Sequence, residues 1–177
     1  MNTVPTSTSA SPMPRFARAL AHTGLIRLIS EIDDNGRLQR RMLATTLHGL
    51  SRRQLTRATT TSRRLGLLRT TSQGGNTCYA LTSAGRDLAE VYDTAARWAR
   101  AHHYPHPVSD FTTRVQSTLT LLAQHPATTD TAGLEGEAGA GLDAVRAALS
   151  QWADDHGADL STEPVRQDTP QGLGLAA

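Results

Sequence analysis

Between Asn35 and Arg86 the chain carries ten Arg and not one Asp or Glu. Folding such a stretch brings like charges together, and the repulsion is relieved when an anion lies against it, so nucleic acid is the first partner the sequence suggests. The rest of the chain sharpens the contrast. Residues 1–114 hold 16 Arg against 7 acids, whereas residues 115–177 hold 2 Arg against 9, and the formal net charge of +2 hides this split. All 18 basic residues are Arg. Together with abundant Ala, that uniformity also fits a GC-rich coding bias, so a merely solvated arginine face is the competing reading.

At 38% hydrophobic and 4% aromatic residues, the chain has material for one core of about 100 residues, with polar tails. No window approaches the roughly 18 unbroken apolar residues of a membrane span, and Met1 to Pro14 contain no apolar signal core. A cytoplasmic protein without membrane contact is expected. The lone Cys78 excludes an intrachain disulfide and falls short of a cysteine-based zinc site.

Residues 1–14, rich in Ser, Thr and Pro, read as a disordered N-terminus. From Phe16 a helical period runs through Ala19, Leu20, Leu25, Ile26, Leu28, Ile29 and Ile32 and closes at Asn35-Gly36, predicting one helix. Met42, Leu43 and Leu47 suggest a shorter helix ending at Gly49. Ser51 then stands at the N-cap of a third, which runs to Leu65 and Gly66, and so short a turn between two helices suggests helix-turn-helix. Leu67 to Ser72 and Thr77 to Leu81 flank Gln73-Gly74-Gly75-Asn76, the pattern of a tight hairpin. Thr82 caps a long helix that Pro105 and Pro107 stop, completing a unit at 15–104. An additional helix, capped by Asp110, falls in 105–125. Residues 126–141 read as a flexible linker, 142–156 as an amphipathic helix with Leu142, Val145, Leu149 and Trp152, and 157–177 as a flexible tail. The fold class expected is mainly α with a small two-stranded wing.

His48-Gly49-Leu50-Ser51, Leu55-Thr56 and Gly66-Leu67-Leu68 occur in the order and spacing found in one group of regulators. With the run Cys78-Tyr79-Ala80-Leu81-Thr82-Ser83-Ala84-Gly85-Arg86-Asp87-Leu88 and Trp98, the sequence resembles the HxlR-type branch of the MarR-like winged helix-turn-helix transcription regulators over roughly residues 16–104. The resemblance implies a winged helix-turn-helix with a long dimerisation helix, a homodimer on double-stranded DNA, and release by a small-molecule effector held between the wing domain and the dimer helices. The chain departs from the family at Gly24-Leu25, where Gly-Lys-Trp is usual, and in lacking an N-terminal cysteine. Arg40 stands where the family has Phe, and Thr59 and Ser62 where it has Leu.

With Leu55, Ala58, Ser62 and Leu65 turned to the core, the third helix presents Arg53, Arg57, Thr60 and Arg64 on the opposite stripe, flanked by Arg52 and Thr56. Arg52, Arg53, Thr56, Arg57 and Thr60 are the candidate base readers, because a guanidinium can fork onto guanine O6 and N7 and a threonine methyl can meet the thymine methyl. Arg37, Arg40, Arg41, Ser51, Arg63, Arg64 and Arg69 are the candidates for phosphate. Gly74, Gly75 and Asn76 form either a minor-groove wing tip or only a tight turn. Leu88, Val91, Tyr92, Ala95, Trp98 and Ala99 make a stripe that suits an intramolecular core or a subunit seam. The seam is the expectation, because a helix of this length exceeds what one small domain covers.

His102, His103 and His106 do not have the spacing of a metal site, Cys78 reads as a small strand residue, and Glu135 to Gly141 follow no strand and so make no phosphate loop. With no nucleophile elbow, HExxH or acid/base pair, no enzyme, cofactor or metal is expected. The function expected is a dimeric, sequence-specific transcription regulator. The alternative is a winged-helix protein- or ligand-binding module that has lost sequence-specific reading.

Overall fold

The apolar run that reads as one helix from Phe16 is two. In the computed structural model, which describes residues 13–125 and 137–157, α1 covers Met13–Leu20 and α2 covers Thr23–Asn35. The chain turns between them, with His22 extended at φ −80° and ψ 124°. A continuous helix would give the Leu20 carbonyl to the Gly24 N–H. Instead it accepts the Tyr92 hydroxyl at 2.9 Å from a distant helix, so the break is satisfied by a tertiary bond that periodicity alone does not reveal. Met13 and Pro14, expected in the disordered N-terminus, form the first turn of α1; residues 1–12 lie outside the described residues.

The second expected helix is also reduced. Leu38–Gln39 form a short strand, β1, followed by a 3-10 turn at Arg40–Met42 and a single helical turn, α3, at Leu43–Thr46. Of Met42, Leu43 and Leu47 only Leu47 is buried, at 2% exposure, while Met42 is 43% exposed. Thr45-Thr46 adds two β-branched residues of poor helix propensity, so neither burial nor local preference extends the turn. The third helix, α4, covers Arg52–Arg64, with Leu55, Ala58 and Ser62 buried as the wheel requires.

The hairpin consists of β2 (Leu68–Gln73) and β3 (Asn76–Leu81). They pair antiparallel from Leu68 opposite Leu81 to Gln73 opposite Asn76. Gly74 and Gly75 have φ of 55° and 76°, the left-handed backbone that a two-residue hairpin turn demands and that β-branched residues resist. The sheet has three strands rather than two, because β1 pairs with β3 at Leu38–Tyr79 and Gln39–Cys78. Cys78 is fully buried in that central strand.

Three helices complete the described residues: α5 (Ser83–Ala101), α6 (Phe111–Gln124) and α7 (Glu137–His156). Thr82 and Asp110 cap α5 and α6, accepting the N–H of Gly85 at 3.2 Å and of Thr113 at 2.7 Å. α7 begins inside the segment read as a linker and ends where expected; residues 126–136 and 158–177, including most of the expected linker and tail, lie outside the described residues. Leu142, Val145, Leu149 and Trp152 are buried in the same core as α1, α2, α5 and α6. The Trp152 indole N–H donates to the Ala84 carbonyl at 2.9 Å, and His156 meets Asp87 at 2.8 Å. At Gly141 a Cβ would stand 2.7 Å from Cδ1 of Trp98, so α7 lies directly on that indole.

Within the single chain, the stripe expected to form a subunit seam is occupied by the chain's own helices. Leu88, Val91, Tyr92, Ala95, Trp98 and Ala99 are each 0–7% exposed within one chain, because α2, α6 and α7 all pack on α5. α6 and α7, which follow residue 104 in the chain, supply the cover that one small domain was not expected to give α5. No helix among the described residues is long and apolar enough to cross a membrane.

Candidate nucleic-acid interface

α4 is positioned from both ends. At its start, the Ser51 hydroxyl accepts the Gln54 N–H at 3.2 Å while the Gln54 side chain accepts the Ser51 N–H at 2.8 Å. This reciprocal capping box occupies two of the otherwise orphaned donors of the first turn. Ser51, expected to meet phosphate, therefore has its side-chain oxygen engaged within the helix. Just upstream, the Arg27 guanidinium donates to the His48 carbonyl at 2.9 Å, tying α2 to the turn that leads into α4. Behind α4, Gly24 of α2 lies where a Cβ would stand 3.2 Å from the Gln54 carbonyl oxygen and 3.4 Å from the Ala58 Cβ. The two helices meet at their backbones.

The polar residues on the inner side are satisfied without leaving the helix. Ser62, fully buried, donates to the Ala58 carbonyl at 2.8 Å, and Thr59 donates to the Leu55 and Thr56 carbonyls at 2.9 and 3.1 Å. A hydroxyl that finds a carbonyl within its own helix removes most of the cost of burial. Thr59 and Ser62 thus make the apolar seat of α4 thin without leaving an unpaired polar group there.

On the outer side, Arg52, Arg53, Thr56, Arg57, Thr60, Thr61 and Arg64 line one open concavity. It unites all five candidate base readers with Arg64. Thr61 is the lining residue that the helical wheel passed over. Arg52, Arg53, Thr56, Arg57, Thr60 and Arg64 are exposed, and among the described residues neither Arg52 nor Arg53 meets an acidic side chain. The other phosphate candidates are exposed but stand apart from this concavity: Arg37, Arg40 and Arg41 on the approach to α3, Arg63 on the last turn of α4, and Arg69 on β2. Arg41 donates to the Gln39 side chain at 2.9 Å. At the hairpin tip, Gly74 and Gly75 are exposed, and the Asn76 amide donates to the Gly74 carbonyl at 3.3 Å. Asn76 thereby closes its own turn.

One contact at this face has no sequence signal. Nη2 of Arg57 lies 2.8 Å from Nε2 of His22, 35 positions earlier in the chain. The two residues share a cavity of about 170 Å³ with Thr23, Gln54, Thr61 and Gln116, placed where α2, α4 and α6 meet. Burial, reinforced by the Arg57 charge, holds the His22 imidazole below its usual value. His102 stacks on Trp98 with ring centroids 4.9 Å apart and places Nδ1 2.7 Å from the Trp98 carbonyl, so it serves the end of α5. Among the described residues no three His, Cys, Asp or Glu side chains gather as a metal site. Compared with models of protein families, with characterised proteins and with solved structures, the chain finds no match in any of the three.

Proposed function

We propose that this protein is a DNA-binding transcription regulator of winged helix-turn-helix form, with α4 entering the major groove and the β2–β3 hairpin acting as its wing. The observation that carries the reading is the outer face of α4: exposed arginines and threonines in one concavity, inside a stretch of ten Arg without an acid. Guanidinium groups on a rigid helix have the reach and fork geometry for guanine edges, and threonine methyls complement thymine. Arg37, Arg40, Arg41, Arg63 and Arg69 would supply the salt-sensitive phosphate contacts that set affinity and register. A homodimer, which the family resemblance implies, would need a surface other than the buried Leu88 to Ala99 stripe.

The test is a titration of duplex selected from a random pool, beside unselected random duplex, at several salt concentrations. A regulator gives a slope of about −0.9 in log K against log salt for each phosphate neutralised, and affinity for the selected duplex about 10³-fold or more above random. A salt slope with a ratio near one would support instead a basic module without sequence reading.

A further inference from the structure

His22 is the only residue outside the arginine-rich stretch whose side chain is hydrogen-bonded to a candidate base reader among the described residues. It stands at the break between α1 and α2 as the residue before the first turn of α2, and its side chain caps nothing there. Its partner is Arg57. A guanidinium has donors only, so the 2.8 Å contact requires a lone pair on His22 Nε2 and places the ring proton on Nδ1. The neutral tautomer is thus dictated by the partner's chemistry. Protonation would put a hydrogen on the accepting nitrogen and set two cations against each other.

We propose that His22 is a positioning residue for Arg57: in its neutral form it holds the guanidinium in the orientation that reads a base, so sequence discrimination falls as His22 takes up a proton. The proposal rests on the DNA-reading role of α4. The surroundings leave few other groups to govern the switch. Thr23, Gly24 and Leu25 of α2, Gln54, Ala58 and Thr61 of α4, and Gln116 of α6 line the cavity with the pair, and Arg57 is the one charged group that faces the imidazole from them. Gln116 is itself engaged, accepting the Thr23 hydroxyl at 3.3 Å. Burial and the Arg57 charge both disfavour the imidazolium, so the contact persists at neutral pH and opens on acidification below the ordinary imidazole value of 6.5.

Loss of this support affects specificity and affinity differently. An arginine that samples several rotamers forms its bidentate base contact less often, which lowers the advantage of the preferred duplex. The new positive charge on His22 strengthens attraction to any phosphate backbone, which raises random binding. The quantity that reports positioning is therefore the ratio of the two affinities, not either alone.

The experiment measures that ratio with the full chain, using duplex selected from a random pool and unselected duplex, at about pH 7.5 and about pH 5. For the wild type the ratio falls about tenfold on acidification. In His22→Gln the amide oxygen stands in for Nε2 as an acceptor that does not titrate, so the ratio stays high at both pH values. In His22→Ala it is low at both. In parallel, the imidazole of His22 is titrated by NMR without DNA in the wild type and in Arg57→Gln, where its midpoint rises because the guanidinium charge is gone. A wild-type preference that is independent of pH, a His22→Gln profile identical to the wild type, or an unmoved NMR midpoint each overturns the positioning role while leaving DNA reading intact. A wild-type ratio near one at every pH overturns the DNA-reading role, and the positioning role with it.

Discussion

Two regions of the molecule are built on opposite principles. Around α5, three helices close on an apolar stripe, Tyr92 and Trp152 donate to backbone carbonyls inside the core, and the described acids Asp87, Glu90, Asp93, Asp143, Asp154 and Asp155 lie on α5 and α7. Around α4, the inner seat is Leu55, Ala58, Ser62 and Leu65, while the outer face is arginine and threonine. The first region converts buried area into stability; the second keeps charge exposed and relies on the first to hold it. Function and stability should therefore respond to different substitutions.

The strongest test of this division is Trp98→Arg. If Trp98 served a subunit seam, the variant would be a folded monomer. Buried beneath α7, it should instead unfold the chain or lower its stability by at least the about 3 to 5 kcal/mol of a lost core aromatic, with an unpaired buried charge adding to that. Urea denaturation followed by circular dichroism, beside sedimentation, separates the outcomes. A folded, stable monomer would falsify the intramolecular assignment.

Arg53→Ala and Arg57→Ala probe the other region and should leave the melting curve in place. Each is expected to weaken binding to the selected duplex by about 1 to 3 kcal/mol and to flatten its preference, whereas Arg41→Ala weakens selected and random duplex alike. Equal losses on both duplexes for all three would show that α4 contacts only backbone.

Where the regions meet, the capping box at Ser51 links them. Ser51→Ala removes the oxygen that accepts the Gln54 N–H and should lower stability by about 1 kcal/mol. Because the lost bond belongs to the first turn of α4, hydrogen exchange there should rise more than exchange in α5. A uniform rise across both would show that α4 does not open separately.

The smallest effect concerns Asp110, the exposed cap of α6. The Thr113 backbone N–H and side chain hold its carboxyl below the ordinary carboxylate value, against a weaker opposing push from burial. A depressed folded-state pKa means that the contribution is present above the unfolded pKa and is lost as pH falls through the folded one. Asp110→Asn should therefore flatten the acid limb of the stability–pH curve while changing stability little at neutral pH. An unchanged acid limb would assign acid sensitivity to other carboxylates.

The cap at Ser51, the Gly74-Gly75 turn, the inner face of α4 and the start of α5 at Thr82 were all legible in the sequence, because each follows from interactions within a few residues: a capping hydroxyl, a left-handed glycine, a 3.6-residue period. The six-residue arginine and threonine face followed from the same period. The break at His22, the strand at Leu38–Gln39, the return of α7 to α5 and the Arg57–His22 bond were not, since each depends on a partner 35 or more positions away. Local physics lets a stripe of Leu, Tyr and Trp be recognised as something to be buried. Only the tertiary structure decides what buries it, because hydrophobic contact has no direction of its own and any segment that reaches the stripe, from this chain or another, satisfies it equally well.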